Sequence, residues 1–199
     1  MTRPVYTIGH SNHSLEGFVG LLQQHGVQAV ADVRSQPYSR FHPQFNQQEI
    51  KAGLSGHGIA YSFLGRELGA RSPDPSCYDE QGRVHYDRLA GTEDFQRGIR
   101  RVLRGRERFS IALMCAEREP LDCHRTLLVS QALAGLGVEV RHIHGDGSLE
   151  THPEVLRRLL SLYELDHEDL FRSEEERLRE ARRLHEQKIA YTMEEPTIA

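Results

Sequence analysis

Apolar positions along the chain switch repeatedly between strand and helix periods. Val5 to Ile8 is a short apolar run that stops at Gly9-His10-Ser11-Asn12-His13-Ser14, and Leu15, Phe18, Val19, Leu21 and Leu22 then recur on one helical face. Ser14 suits the N-cap of that helix, and Gly26 suits its exit, where a left-handed backbone is required. Val27 to Val33 follows as a near-continuous apolar run, so the first third reads as strand, helix, strand with a parallel pair. Tyr38 to Phe45 is too rich in Pro and polar residues for regular structure. A short helix is expected over Asn46 to Leu54 and a third strand over Ile59 to Leu64.

From Gly65 to Arg83 the pattern dissolves into a loop punctuated by Gly65, Gly69, Pro73, Pro75 and Gly82, which is either a lid or a surface insertion. Helical spacing returns through Phe95, Ile99, Val102 and Leu103, capped by Thr92 and stopped by Gly105. Phe109 to Met114 is a fourth strand, Thr126 to Leu136 a helix ended by Gly137, and Val138 to Ile143 a fifth strand. These elements predict an α/β chain: a three-layer fold with a central, mostly parallel sheet of about five strands and a C-terminal helical extension. The expected division is an α/β domain over 1–150 and the extension over 151–199.

The extension differs in kind. Pro153 fits a first helical turn, with Val155, Leu156, Leu159, Leu160 and Leu162 as its apolar face. Glu168 to Lys188 is mostly Glu and Arg, with a thin stripe of Leu170, Phe171, Leu178, Ala181 and Leu184. It reads as an amphipathic helix that folds back or pairs with a second copy to make a homo-oligomer.

Composition narrows the class. At 38% hydrophobic and 27% charged the chain reads as globular, with no run near the ~18 apolar residues of a membrane span. Met1-Thr2-Arg3-Pro4 leads into a strand without a signal-peptide pattern, which makes the cytoplasm the expected location and a membrane partner unexpected. Three cysteines, an odd number, argue against a disulfide framework and for reduced thiols. A net charge of -4 gives no global attraction for a polyanion.

The densest chemistry lies in Met114 to Arg125, where two of the three cysteines sit among Glu117, Glu119, Asp122, His124, Arg118 and Arg125. Every unusual polar cluster falls after a strand: Gly9-His10-Ser11, Asp32-Val33-Arg34, Cys115-Ala116-Glu117 and His144-Gly145-Asp146. In an open parallel sheet the carboxyl ends of the strands form the ligand crevice. Right-handed crossovers suggest an order with strand one between strands two and four, which sets His10 and Cys115 on one crevice.

The runs Thr7-Ile8-Gly9-His10-Ser11, Asp32 to Arg40, Pro43-Gln44-Phe45-Asn46, Met114-Cys115-Ala116-Glu117, Pro120 and Cys123-His124-Arg125 resemble, in the same order, the family called domain of unknown function four-eight-eight. The resemblance spans roughly 4–145 and implies a shared fold, but no established activity. The layout of strand, cysteine, loop and helix is also similar to rhodanese-type sulfurtransferases and cysteine-dependent phosphatases. It departs from them in placing Glu117, Glu119 and Asp122 where an anion would sit.

The residues themselves leave several chemistries open. Cys123 opens a helix beside Arg118 and Arg125, which favours a thiolate, and Cys115 is a second candidate nucleophile. His124, Glu117 and Asp32 are candidates for proton handling, with Asp146 a further carboxylate; His10, Ser11, Arg34 and Arg125 are candidates for holding an anionic small molecule or nucleotide-like ligand. The same groups could instead be structural, as an Asp32–Arg125 or a Glu117–Arg34 ion pair that ties the loops together. An alternative is a Cys/His metal centre from Cys115, Cys123, His124 and His10, although strong metal spacings are missing, so no ligand set or cofactor is assigned. A second alternative is nucleic-acid binding through Arg97, Arg100, Arg101, Arg104, Arg106 and Arg108 around one helix and Arg34, Arg40, Arg66 and Arg71 in or near the crevice loops, with Tyr38, Phe41 and Tyr61 for stacking.

Overall fold

The computed structural model describes residues 3–193. Six strands form one sheet: β1 (Val5–Gly9), β2 (Ala29–Asp32), β3 (Ala60–Phe63), β4 (Ile111–Cys115), β5 (Val140–Ile143) and β6 (Leu149–Thr151). Their order is β3-β2-β4-β1-β5-β6; the first five are parallel and β6 runs antiparallel at the edge.

This order corrects the expectation that strand one lies between strands two and four. The β1 to β2 crossover skips one position, and β4 fills it. Burial explains the choice, because all five residues of β4 are buried and such a strand belongs in the middle of a covered sheet. Cys115 therefore ends the central strand, flanked by the ends of β1 and β2.

Helices cover both faces. One face carries α1 (Leu15–Gln24) and α2 (Gln47–Gly56), whose Phe18, Leu22, Ile50 and Leu54 pack on Ile8, Val30, Ala112 and Met114. The other carries α3 (Gly65–Leu68), α4 (Tyr86–Ala90), α5 (Glu93–Arg106), a π-helical segment (Arg125–Ser130) leading into α6 (Gln131–Gly135), α7 (His152–Leu162) and α8 (Glu174–Ile189). Val155, Leu159 and Ala181 join the same core as Val5, Leu113 and Val140, so the C-terminal helices share that face of the sheet. The result is the three-layer α/β fold.

Local chemistry sets the boundaries. Ser14 accepts from Gly17 N–H and Thr92 from Phe95 N–H, the caps that start α1 and α5. Thr151 with Glu154, and Ser173 with Glu176, form reciprocal capping boxes that start α7 and α8. The second box explains why the last helix begins at Glu174 and not at Glu168: once Ser173 caps it, Leu170 and Phe171 fall outside and stay exposed. The helix folds back, with Tyr163 Oη 3.0 Å from His185 Nδ1 and His185 Nε2 3.2 Å from the Leu121 carbonyl.

The Gly65 to Arg83 segment is also more ordered than its composition suggested. It contains α3 and a 3-10 turn at Pro75–Cys77, and it is tied to the chain's end: Val84 N–H donates to the Tyr191 carbonyl and Met193 N–H to that of Gly82. Gly65 and Gly69 let the start of this segment lie against the chain just after β2, since a Cβ at Gly65 would lie 1.9 Å from the Arg34 carbonyl oxygen and one at Gly69 would lie 2.4 Å from Ser35 Oγ. Among the described residues no helix is long and apolar enough to cross a membrane.

Candidate active site

The β1 and β4 ends are laced together by backbone bonds, from His10 N–H to the Cys115 carbonyl (2.8 Å) and from Ser11 N–H to that of Ala116 (2.9 Å). Gly9 makes this possible, because a Cβ there would sit 1.8 Å from the Glu117 carbonyl oxygen. Arg125, fully buried, grips the same loop from below: Nη1 donates to the Glu117 carbonyl at 2.7 Å and Nη2 to that of Arg118 at 3.2 Å. It comes from the π-helical segment, where the Ser130 hydroxyl caps the Arg125 carbonyl at 2.7 Å. Such widened turns recur at functional sites.

Beside this loop stands a second rigid unit. Arg34 donates from Nε and Nη2 to both oxygens of Asp32 at 2.9 and 2.7 Å, a bidentate fork, and from Nη2 to the Phe45 carbonyl at 2.8 Å. The Tyr61 hydroxyl donates to Asp32 Oδ2 at 2.8 Å. Arg34 Nη1 lies 3.1 Å from His10 Nε2, which therefore accepts, while His10 Nδ1–H donates to the Ser11 carbonyl at 3.0 Å. The His10 ring stacks on Phe45 with centroids 4.3 Å apart, and burial followed by the Arg34 charge lowers its pKa to about 4. The pairing is thus Asp32 with Arg34, which corrects the expected Asp32–Arg125 or Glu117–Arg34 pairs: Arg34, two residues from Asp32, fits both its oxygens, while Arg125 is taken up by backbone carbonyls.

Three groups converge between these units. His124 Nδ1 is 3.8 Å from Cys115 Sγ and 3.9 Å from Cys123 Sγ, and its Nε2 is 3.1 Å from the Val33 carbonyl, which holds the ring in place. Arg125 N–H points at Cys123 Sγ at 3.4 Å. Burial opposes charge on Cys123, yet the hydrogen bond from Cys115 and the charges of Arg125 and His124 outweigh it and hold this thiol well below the ordinary range. Cys115 moves the other way, raised by its hydrogen bond to Cys123 and then by burial. Burial likewise acts against a charged His124, but the Cys123 charge and hydrogen bond raise its pKa. The arrangement favours charge on Cys123 and on the facing His124 ring, with the second thiol, Cys115, within 4.8 Å of both.

Glu117 lies beside them with its pKa raised by its enclosed setting and then by the charge on Cys123. The residue keeps an exposed surface, so water moderates both causes. Both thiols, His124 and Glu117 line a cavity of about 330 Å³ that is walled further by Gln36, Tyr38, Arg71, Tyr86, Ile189 and Tyr191. An adjoining cavity of about 430 Å³ holds His10 and Ser11 and shares Arg34 and Glu117 with the first.

Of the residues singled out in the sequence, Cys115, Glu117, Cys123 and His124 share the cavity with an edge of Arg34. Asp32 and Arg125 are buried supports whose polar groups face protein partners, and His10 and Ser11 lie in the neighbouring cavity. Asp146 is elsewhere, capping Ser148 in the β5 to β6 turn. Of the roof, Arg71 was among the arginines expected in or near the crevice loops, in the segment read as a lid or a surface insertion, and the chain's end was not expected there. Arg71, in the Gly-rich segment, lies over the Tyr191 ring at 4.4 Å and donates to Gln36 at 3.0 Å, and it forms no carboxylate pair among the described residues. No local pattern marks Tyr86, Ile189 or Tyr191, since only tertiary folding brings the chain's end back over β4. On α5, Arg97 pairs with Asp94 and Arg101 with Glu67, which reduces the free positive face.

Cys115, Cys123 and His124 are also the donor group with metal-binding geometry among the described residues, their ligand atoms lying within 4.8 Å of one another. Fold and site together define a parallel α/β protein with a thiol and imidazole cluster at the carboxyl ends of its central strands. The family model described as domain of unknown function DUF488 matches residues 14–132, and the chain belongs to that family. No curated protein and no solved structure matches it.

Proposed function

We propose that this chain is an enzyme acting on a small molecule with an anionic group, and that Cys123 is its nucleophile. The observation that carries the reading is the convergence of two thiols and one imidazole on the wall of a roofed cavity at the strand ends. His124 holds the Cys123 thiolate and is placed to return a proton to a leaving group. Glu117 supplies a second proton-handling group at the mouth. Arg71, free of a carboxylate partner among the described residues, meets the anionic group with Gln36 beside it, while Asp32, Arg34, His10 and Arg125 keep the loops in register.

The test is brief exposure of the folded protein to iodoacetamide at neutral pH, followed by peptide mass spectrometry. Cys123 is expected to be modified first, and the His124→Gln variant to lose that preference. Equal, slow labelling of all three thiols counts against the reading. A second reading is a metal centre on the same three donors, favoured by the Val33 carbonyl that orients His124 with Nδ1 toward both thiols. Stoichiometric zinc or iron after gentle purification, with labelling only after chelation, selects it.

A further inference from the structure

Nucleophilic chemistry needs one thiol, and the cavity wall holds two. Cys115 Sγ and Cys123 Sγ lie within 4.8 Å of each other and within 3.8 and 3.9 Å of the same imidazole nitrogen. The pair comes from two elements, the end of β4 and the start of the helix after it, and the connecting loop is fixed by Arg125 and by the β1 end. Cys77, the third thiol, does not line this cavity. From this placement we infer that the site carries a second activity, two-electron thiol-disulfide exchange with a small disulfide, in which Cys123 attacks and Cys115 resolves. The inference rests on Cys123 being the reactive thiol.

The steps balance around His124. The Cys123 thiolate attacks one sulfur of the disulfide, the S–S bond breaks, and the departing thiolate takes the proton from the imidazolium, leaving a mixed disulfide on Cys123. Neutral His124 then takes the Cys115 proton through the same Nδ1. The new thiolate attacks Cys123 Sγ, a Cys115–Cys123 disulfide forms, and the second half of the substrate leaves with the proton from His124. The small disulfide is reduced to two thiols and the protein dithiol is oxidised; a dithiol reductant reverses the change. Closing the pair requires the two sulfurs to approach from their present separation to ~2.05 Å, which the short connecting loop must permit.

A single-turnover experiment decides it. The reduced full-length protein is mixed with dithiodiglycolate, a small dianionic disulfide suited to Arg71, quenched with acid and mapped by non-reducing peptide mass spectrometry. The expected product is the Cys115–Cys123 linkage with both halves of the probe released as thioglycolate and Cys77 still reduced. In Cys115→Ser, release falls by half and one probe half stays on Cys123; an unchanged circular dichroism spectrum and thermal melt show that this variant is folded. If the wild-type protein itself retains the probe half on Cys123, the resolving role is wrong while Cys123 remains the nucleophile. If Cys123 does not react at all, both this inference and the proposed function fail.

Discussion

Acid sensitivity arises in a buried chain of hydrogen bonds outside the cavity lining. Thr7 Oγ1 is 2.8 Å from His142 Nδ1, His142 Nε2 is 3.2 Å from His152 Nδ1, and His152 Nε2 is 3.4 Å from Gln131 Oε1. With the glutamine oxygen accepting, one tautomer satisfies the whole chain: His152 donates to Gln131, His142 donates to His152, and Thr7 donates to His142. In this tautomer a proton added to His152 sets its Nδ1–H against the His142 Nε2–H, and one added to His142 sets its Nδ1–H against the Thr7 hydroxyl hydrogen. Burial, followed for His142 by the neighbouring His152, lowers both pKa values, that of His152 to about 4. Because the folded pKa lies below the unfolded ~6.5, stability is complete above that value and is lost as pH falls toward 4. For His152 alone the loss is about 2 kcal/mol at pH 5 and about 3 kcal/mol at pH 4, against a typical total of ~5–15 kcal/mol. Urea unfolding at roughly pH 7.5 and 5, for the wild type and His152→Leu, measures it. The variant has a lower stability at the higher pH, from the unpartnered His142 N–H, but a change between the two pH values smaller by about 2 kcal/mol. Parallel pH profiles for the two proteins would refute the reasoning.

Other perturbations address the frame of the site. Gly9→Ala forces its new Cβ into the Glu117 carbonyl and is expected to cost at least ~2 kcal/mol, a fall of ~4–8 °C in a thermal melt; an unchanged melting temperature contradicts the packing described. Tyr191→Ala removes the roof and the Arg71 stacking contact, so iodoacetamide should reach Cys123 several-fold faster with a stability loss of only ~0.5–1 kcal/mol. A labelling rate that does not change places the roof elsewhere. Arg34→Met leaves Asp32 buried without its fork and is expected to destabilise the protein by ~3–5 kcal/mol, which chemical unfolding would detect.

Much of the fold was legible because its elements obey simple periods. Caps at Ser14 and Thr92 marked helix starts correctly, and the parallel sheet followed from apolar runs separated by helices. Strand order was not legible, since a crossover that skips a position leaves no local mark; only the complete burial of Ile111–Cys115 pointed to the centre. Three-residue β6 was too short to alternate visibly. The cavity's floor was readable from Cys115 through His124, where chemistry is dense in sequence. Its pairings were not, as Asp32 chose Arg34, two residues away, and Arg125 turned to backbone carbonyls. Its roof depends on Arg71 meeting Tyr191, residues 120 positions apart in a segment rich in glycine and a tail rich in charge.

On the proposed function, Cys123 stands ready as a thiolate because His124 faces it. The most direct measurement of this is the rate of iodoacetamide modification of Cys123 against pH, read by mass spectrometry in the wild type and in His124→Gln. The wild-type profile should reach its plateau well below the ~8.5 of an ordinary thiol, and the variant's midpoint should move upward toward it. A wild-type midpoint at or above the ordinary value, or one that His124→Gln leaves in place, would contradict the account.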